Sequence, residues 1–309
     1  MATATDARPA AAPGGPRPNR NGISERGLAR LFISPSITAM AIVALFPILY
    51  AVVLSFYEYV GLQQGGFTAL GNYVDALTDG RFWDSVIATF VFTVFSVTFE
   101  FLIGMGFALI MHQAFVGRGV ARATILIPWV IPTVIAAQMW RYMFEVTPGF
   151  INWALPFVPD DFNWLGSSGW AMFTIIFADV WKTAPFVALL LLAGLQTIPE
   201  EVYEAGRVDG ASAWQRFTRI TLPLLRPAIL VAMLFRTTDA LRIYDLPAVM
   251  TRGAFGTETL SVLVQDFVIA TPNPGFASTL SVLTFILVLG VGVLLVSVLG
   301  KELVLGDEA

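Results

Sequence analysis

Six stretches of this chain are each long and apolar enough to cross a lipid bilayer, and this feature constrains its fold more than any other. They lie at about 31–56, 83–111, 123–144, 170–195, 224–250 and 277–299. A helix rises about 1.5 Å per residue, so each stretch reaches the ~30 Å of a hydrocarbon core. Backbone at that depth has no water to bond, which leaves helices as the economical solution. The expectation is an all-α, polytopic membrane protein with six transmembrane helices. Composition agrees: 56% of residues are hydrophobic and 13% charged, about half the ~25% charge of an average soluble domain. A soluble enzyme of this size is thereby excluded.

The first 22 residues are rich in Ala, Pro, Gly and Arg and lack the apolar content to fold. They read as a disordered cytoplasmic arm (1–22), followed by a transmembrane domain (23–304) and a short cytoplasmic tail (305–309). The apolar run at 31–56 is too long for a signal-peptide core, so it reads as a retained first span. Pro35, Pro47, Pro128, Pro132, Pro185 and Pro247 fall in or near spans and can mark bends. With the N-terminus inside, the inner segments hold twelve Lys and Arg and the outer loops only Arg81 and Arg252. That bias predicts an N-in, C-in topology.

Several chemistries are excluded at once. There is no Cys, and His112 is the single histidine, so thiolate nucleophiles, Cys-ligated metals and His-based metal sites are out of reach. Lys182 and Lys301 are the only lysines, and neither has the glycines and following Ser or Thr of a phosphate-binding loop. Nothing points to a metal, a cofactor or nucleic acid.

The polar segment 197–223, between the fourth and fifth apolar runs, is the most informative. Thr197-Ile-Pro-Glu-Glu predicts a helix start with Thr197 as N-cap and Pro199 in the first turn. Val202, Ala205 and Asp209 then share one side, Gly206 permits close approach and Gly210 stops the helix. A second short helix is expected over 212–218, leading to Pro223. Such a rigid loop can carry a push from a cytoplasmic partner into the membrane.

The run Glu204-Ala205-Gly206, then Gly210, then Ile220 and Leu222-Pro223 resembles the EAA loop of ABC-importer permeases. The chain departs from that pattern once, at Gly206, where the family has a second Ala. Gly71-Asn72-Tyr73, Arg81-Phe82-Trp83 and the stretch 234–253 are similar to carbohydrate-type members, so the resemblance covers about 25–300. It implies a type I importer permease architecture in a bacterial plasma membrane, with the 197–223 loop seated on an ATPase and Glu204 paired to a basic residue there. It further implies a second homologous permease, two ATPase subunits that bind ATP and Mg, and an extracytoplasmic sugar-binding lipoprotein. The substrate it implies is a neutral disaccharide such as trehalose, with maltose and other glycosides open, and no enzymatic activity in this chain.

Charges inside the spans need a reason, because each costs about 2.5–3.5 kcal/mol to insert. Arg236, Asp239, Arg242 and Asp245 alternate in sign every third residue. Each step turns about 300°, so Arg236 and Asp245 end on opposite sides unless the helix unwinds near Pro247. Two readings stand: a polar pathway in which Asp239, Arg242, Tyr244 and Asp245 bond sugar hydroxyls, or a structural ion-pair ladder. Glu100, also a candidate for the pathway, has no local partner and calls for a basic or hydroxyl group from another helix. Asp179 and Lys182 are placed for an i,i+3 pair. Ser278, Ser281 and Thr284 either face the pathway or bond backbone carbonyls. The aromatics Trp153, Phe157, Phe162 and Trp164 read as a membrane-interface belt or a docking surface. An ion-coupled secondary transporter is the main rival, although it leaves the 197–223 loop unexplained.

Overall fold

The computed structural model describes residues 25–147 and 149–305; the arm at 1–22 and the end of the tail lie outside them. Residues 25–50 are helical throughout. Helix α1 (Glu25–Met40) passes through one π turn (Ala41–Leu45) into α2 (Phe46–Leu54). Its apolar side chains, Phe32, Val43 and Phe46 among them, are exposed, as suits a helix that faces lipid.

Beyond residue 50 the chain forms a helical bundle. A hairpin of β1 (Tyr57–Val60) and β2 (Gln63–Phe67) leads to α3 (Gly71–Thr78). Then come α4 (Gly80–His112), α5 (Arg118–Val130), α6 (Thr133–Phe144) and the short α7 (Phe150–Ala154). Helix α8 (Ser168–Leu195) is followed by α9 (Glu200–Val208) and α10 (Ala213–Arg216) in the polar loop. The last elements are α11 (Leu222–Ala240), α12 (Asp245–Met250), α13 (Leu260–Ile269) and α14 (Pro274–Leu305). Helices α4, α8 and α11 form the centre. At Gly104 an added Cβ would lie 2.9 Å from Val187, and at Gly194 it would lie 2.4 Å from the Ala228 Cβ. Glycine at these points lets α8 approach both neighbours closely, the usual solution where helices meet in a membrane.

Five of the expected spans are long apolar helices, and the third is broken. Helices α5 and α6 meet at 90°, because Pro132 donates no N–H and forces Ile131 into an extended conformation (ψ 129°). The fifth span is interrupted within its expected bounds: α11 stops at Ala240, and a turn at 241–244 precedes α12. Pro247 therefore sits in the first turn of α12, where its missing N–H costs nothing. The hairpin was not expected from the sequence; its strands are only four and five residues long.

The Gly71-Asn72-Tyr73 motif has a structural duty. The Asn72 amide donates to the carbonyls of Ser55 and Tyr57, both at 2.9 Å, and the Tyr73 hydroxyl lies 2.7 Å from Ser55 Oγ. Gly275 of α14 completes this corner, since a Cβ there would lie 2.2 Å from the Tyr57 carbonyl. Nearby, Arg81 forks onto Glu258 (2.8 and 2.7 Å) and reaches Asp266 at 2.8 Å, binding α4 to α13.

The segment 145–167 divides the four aromatics. Trp164 is buried, and its indole N–H donates to Asn152 Oδ1 at 2.6 Å. It packs on Phe162, Phe144 and Trp170. Trp164 and half-buried Phe162 are thus core residues rather than a belt, because the loop folds back over the α6–α8 seam. Trp153 and Phe157 stay exposed. Replacing Asn72 by Ala removes two hydrogen bonds to buried carbonyls and is expected to cost about 1–3 kcal/mol; an unchanged melting temperature of the purified protein would refute the role given to this corner.

Candidate functional site

Two regions carry the polar residues, and the 197–223 loop is the first. Helix α9 has Glu200 and Glu201 in its first turn and Arg207 in its last, the order that the helix dipole favours. It starts from Pro199, and the Thr197 hydroxyl instead donates to the Gly194 carbonyl at 2.7 Å. Thr197 is therefore not the N-cap; it closes α8. Gly210 ends α9 with φ +75°, a value that costs glycine little. Ser212 then caps α10 in a reciprocal capping box with Gln215. The second helix does not stop at 218 but continues through a π turn (Phe217–Thr221) into α11.

The motif residues have distinct places in this loop. A Cβ on Gly206 would lie 2.9 Å from the Ile220 side chain, so the small residue and the isoleucine of the pattern are packing partners. The Tyr203 hydroxyl lies 3.2 Å from Thr221 Oγ1 on the same inner face. Leu222 and Pro223 open α11, and Leu222, Ile198 and Phe217 pack on a core that includes Leu195 and Leu225. Val202, Ala205, Val208 and Asp209 face outward. Glu204 is also exposed, 3.7 Å from an Arg207 that already holds Glu200 at 3.2 Å. The result is a clamped lever with one apolar face and an exposed Glu204 beside it.

The second region lies within the bundle. Arg236 of α11 is 3% exposed and forks onto Glu100 of α4, with Nε to Oε2 at 2.5 Å and Nη2 to Oε1 at 2.7 Å. Its Nη2 also donates to Asp179 Oδ2 of α8 at 2.9 Å, and Nη1 to Asp239 Oδ2 at 2.6 Å. Ser96 bridges Asp179 (2.5 Å) and Glu100 (3.0 Å), and the Thr183 hydroxyl contacts Glu100 as well. Glu100 thus receives the basic and hydroxyl partners its burial requires. The expected Asp179–Lys182 pair is absent: Asp179 turns to Arg236, and no carboxylate among the described residues lies within 4 Å of Lys182. Nor is there a continuous ladder along the fifth span, since only its first step, Arg236 to Asp239, is made.

The sequence did contain a signal for this cluster. Counted from the helix ends beside the 197–223 loop, Glu100, Asp179 and Arg236 lie about 18, 24 and 21 Å deep. Opposite charges at one depth on adjacent helices have every reason to pair.

The remaining candidates separate into two places. Asp239 carries the exposed edge of the cluster, its side chain 70% accessible. Asp245 begins α12 and is half-buried. Arg242, Tyr244 and Ser281 line a different cleft, of about 840 Å³, between α11, α13 and α14. Ser281 and Thr284 donate to the Ala277 and Leu280 carbonyls of their own helix, both at 2.8 Å. Ser278 is half-buried on α14 and joins neither group. Among the described residues no cluster of His, Asp and Glu is placed to hold a metal ion.

Replacing Arg236 by Met strands two buried carboxylates and is expected to cost about 3–5 kcal/mol. Adding Glu100→Gln and Asp179→Asn to that variant should restore most of the loss. Thermal unfolding of the purified proteins measures both, and a mild effect of Arg236→Met alone would show that the cluster does not hold the bundle.

Comparison with known proteins places this architecture. Residues 100–301 match the family of binding-protein-dependent transport system inner membrane components. A trehalose/maltose transport system permease protein, MalF, of Thermococcus litoralis is 42% identical over 86% of this chain and 91% of its own. The trehalose transport system permease protein SugA of Mycobacterium tuberculosis is 40% identical over 85% of each chain. In fold, the chain resembles a bacterial ABC transporter that imports the polysaccharide alginate, with a TM-score of 0.77 at 20% identity, covering 90% of this chain and 97% of that one. The chain is a multi-pass, non-enzymatic permease subunit that belongs to the binding-protein-dependent transport system inner membrane components, the permeases of ABC importers.

Proposed function

We propose that this chain is one of two permease subunits enclosing the pathway of an ATP-driven importer for a neutral disaccharide of the trehalose and maltose class. The clamped lever of α9 carries this reading. It has an outward apolar face, an exposed Glu204, and a base packed on the same core as α8 and α11. A partner pushing on α9 moves two central helices together. We place that partner, an ATPase subunit binding ATP and Mg, on the cytoplasmic side, with both termini inside as the Lys and Arg distribution suggests. The trehalose and maltose permeases among its relatives support the substrate class. A related alginate transporter is known in complex with a sugar-bound periplasmic protein, which supports an external sugar-binding partner here.

Substrate contact is assigned to the face that carries Asp239. There the cluster opens to solvent. Groups of both signs without an excess of Arg or Lys suit a neutral polyol that donates and accepts hydrogen bonds better than an anion. Glu100 and Arg236 then fix the position of Asp239 rather than touch the sugar. The transport cycle is alternating access: ATP-driven closure of the ATPase pair shifts the population toward an outward-open state, and product release returns it.

The test is uptake of labelled trehalose and ATP hydrolysis by the assembled complex in liposomes. Glu204→Ala should lower uptake about tenfold or more, the factor for one lost charge-assisted hydrogen bond, while the subunits stay together. Uptake by this chain alone along an ion gradient, indifferent to that substitution, would establish a secondary transporter instead. Asp239→Asn should depress uptake strongly and stability by less than about 1 kcal/mol, because its side chain is largely exposed. Normal uptake in that variant would take Asp239 out of the pathway.

A further inference from the structure

The cleft between α11, α13 and α14 is not explained by the sugar pathway, and its chemistry is graded. At the mouth stand Arg242, Tyr244, Ser261 and Gln265; below them the walls are Leu234, Val288, Val293 and Val296. From Ser281 to Val296 the groove follows α14 for about 22 Å, the scale of an extended acyl chain. Its volume of about 840 Å³ is that of a ligand site, within the usual ~300–1,000 Å³.

The charge at the mouth is uncompensated. No Asp or Glu lines the cleft, and Arg242 is its only ionised group. Arg242 is exposed, its Nε donates to the Thr238 carbonyl of its own helix at 3.2 Å, and no carboxylate among the described residues lies within 4 Å of it. Arg242 is also about 30 Å along the helix axis from Leu222, one hydrocarbon thickness from the 197–223 loop. With the 197–223 loop at one surface of the bilayer, that separation matches the depth of the phosphate groups of the opposite leaflet. The apolar walls begin below that level and run toward the bilayer centre.

We infer that this cleft binds an anionic phospholipid from the leaflet opposite the 197–223 loop. The phosphodiester is held by the Arg242 guanidinium with Tyr244 and Gln265 as hydrogen-bond donors, and an acyl chain lies along α14 against Leu234. A neutral sugar fits poorly, since the lower groove is largely Leu, Val and Phe, and its hydroxyls, Thr284 and Ser297, already donate to carbonyls of their own helix at 2.8 Å each. A zwitterionic lipid fits the groove but gains less at the mouth, because its choline carries a compensating positive charge.

Photocrosslinking tests this on the complete importer, co-expressed with its partner subunits and placed in nanodiscs. The probes are phosphatidylglycerol and phosphatidylcholine carrying the same diazirine in an acyl chain, each a trace component of a phosphatidylcholine bilayer. Peptide mapping should find phosphatidylglycerol on residues 285–297, at about five times the yield of phosphatidylcholine, the factor for one basic side chain at an anionic surface. Arg242→Gln should abolish that fivefold preference, whereas Arg252→Gln, a charge removed elsewhere at that end of the molecule, should retain it. Val293→Trp, which fills the groove, should reduce labelling by both lipids. Equal labelling by the two probes, or a preference that survives Arg242→Gln, would overturn the assignment. So would the absence of any label on α14 in the assembled importer, which would mean that the second permease covers the cleft.

Discussion

A guanidinium buried in the middle of a bundle of membrane helices dictates much of what surrounds it. Arg236 cannot lose its charge, so its burial requires anions from other helices at the same depth. Glu100 and Asp179 supply them, and Ser96 and Thr183 add further donors to the same carboxylate oxygens. Helices α4, α8 and α11 are consequently fixed in register, since sliding any of them by one turn would part the charges. Hydrocarbon makes such a network more demanding than water would, because a broken member finds no solvent to replace its partner.

The same three helices connect the two functional regions. Close packing at Gly104 and Gly194 holds α8 to α4 and α11 over its lower half, and the cluster holds them at mid-depth. Helix α9 joins the end of α8, while α10 and the π turn run without interruption into α11. A displacement at α9 is thus delivered to both walls of the Arg236 cluster, and Asp239, bonded to Arg236, moves with them. This is mechanical linkage between the 197–223 loop and the Arg236 cluster about 20 Å from it along α11, made from packed elements with few flexible joints.

Departures from the sequence-based reading arose where a local rule met a tertiary partner. Asp179 and Lys182 satisfy the spacing for a helical pair, yet Arg236 offers Asp179 a fork-shaped donor with four of its N–H groups directed at carboxylates. Thr197 satisfies the N-cap rule, but Pro199 already sets the extended geometry from which α9 starts. Trp164 and Phe162 have the composition of an interface belt, and only the return of the 145–167 loop over α8 buries them. For Asp179 the competing partner was distant in sequence, whereas for Thr197 it was local, the Gly194 carbonyl three residues back.

By itself the sequence determined the all-helical membrane fold, five of its long spans, the place of the 197–223 loop and the small residues its packing needs. Hydrophobic length and the hydrogen-bonding demands of a bilayer are local properties, readable along one chain. Tertiary structure alone decided the pairing of Glu100, Asp179 and Arg236, the 90° bend at Pro132 and the separation of Asp239 from Arg242. Those follow from which faces of α4, α8, α11 and α14 meet. A 3.6-residue period tells which side chains share a face, but only packing tells what that face touches.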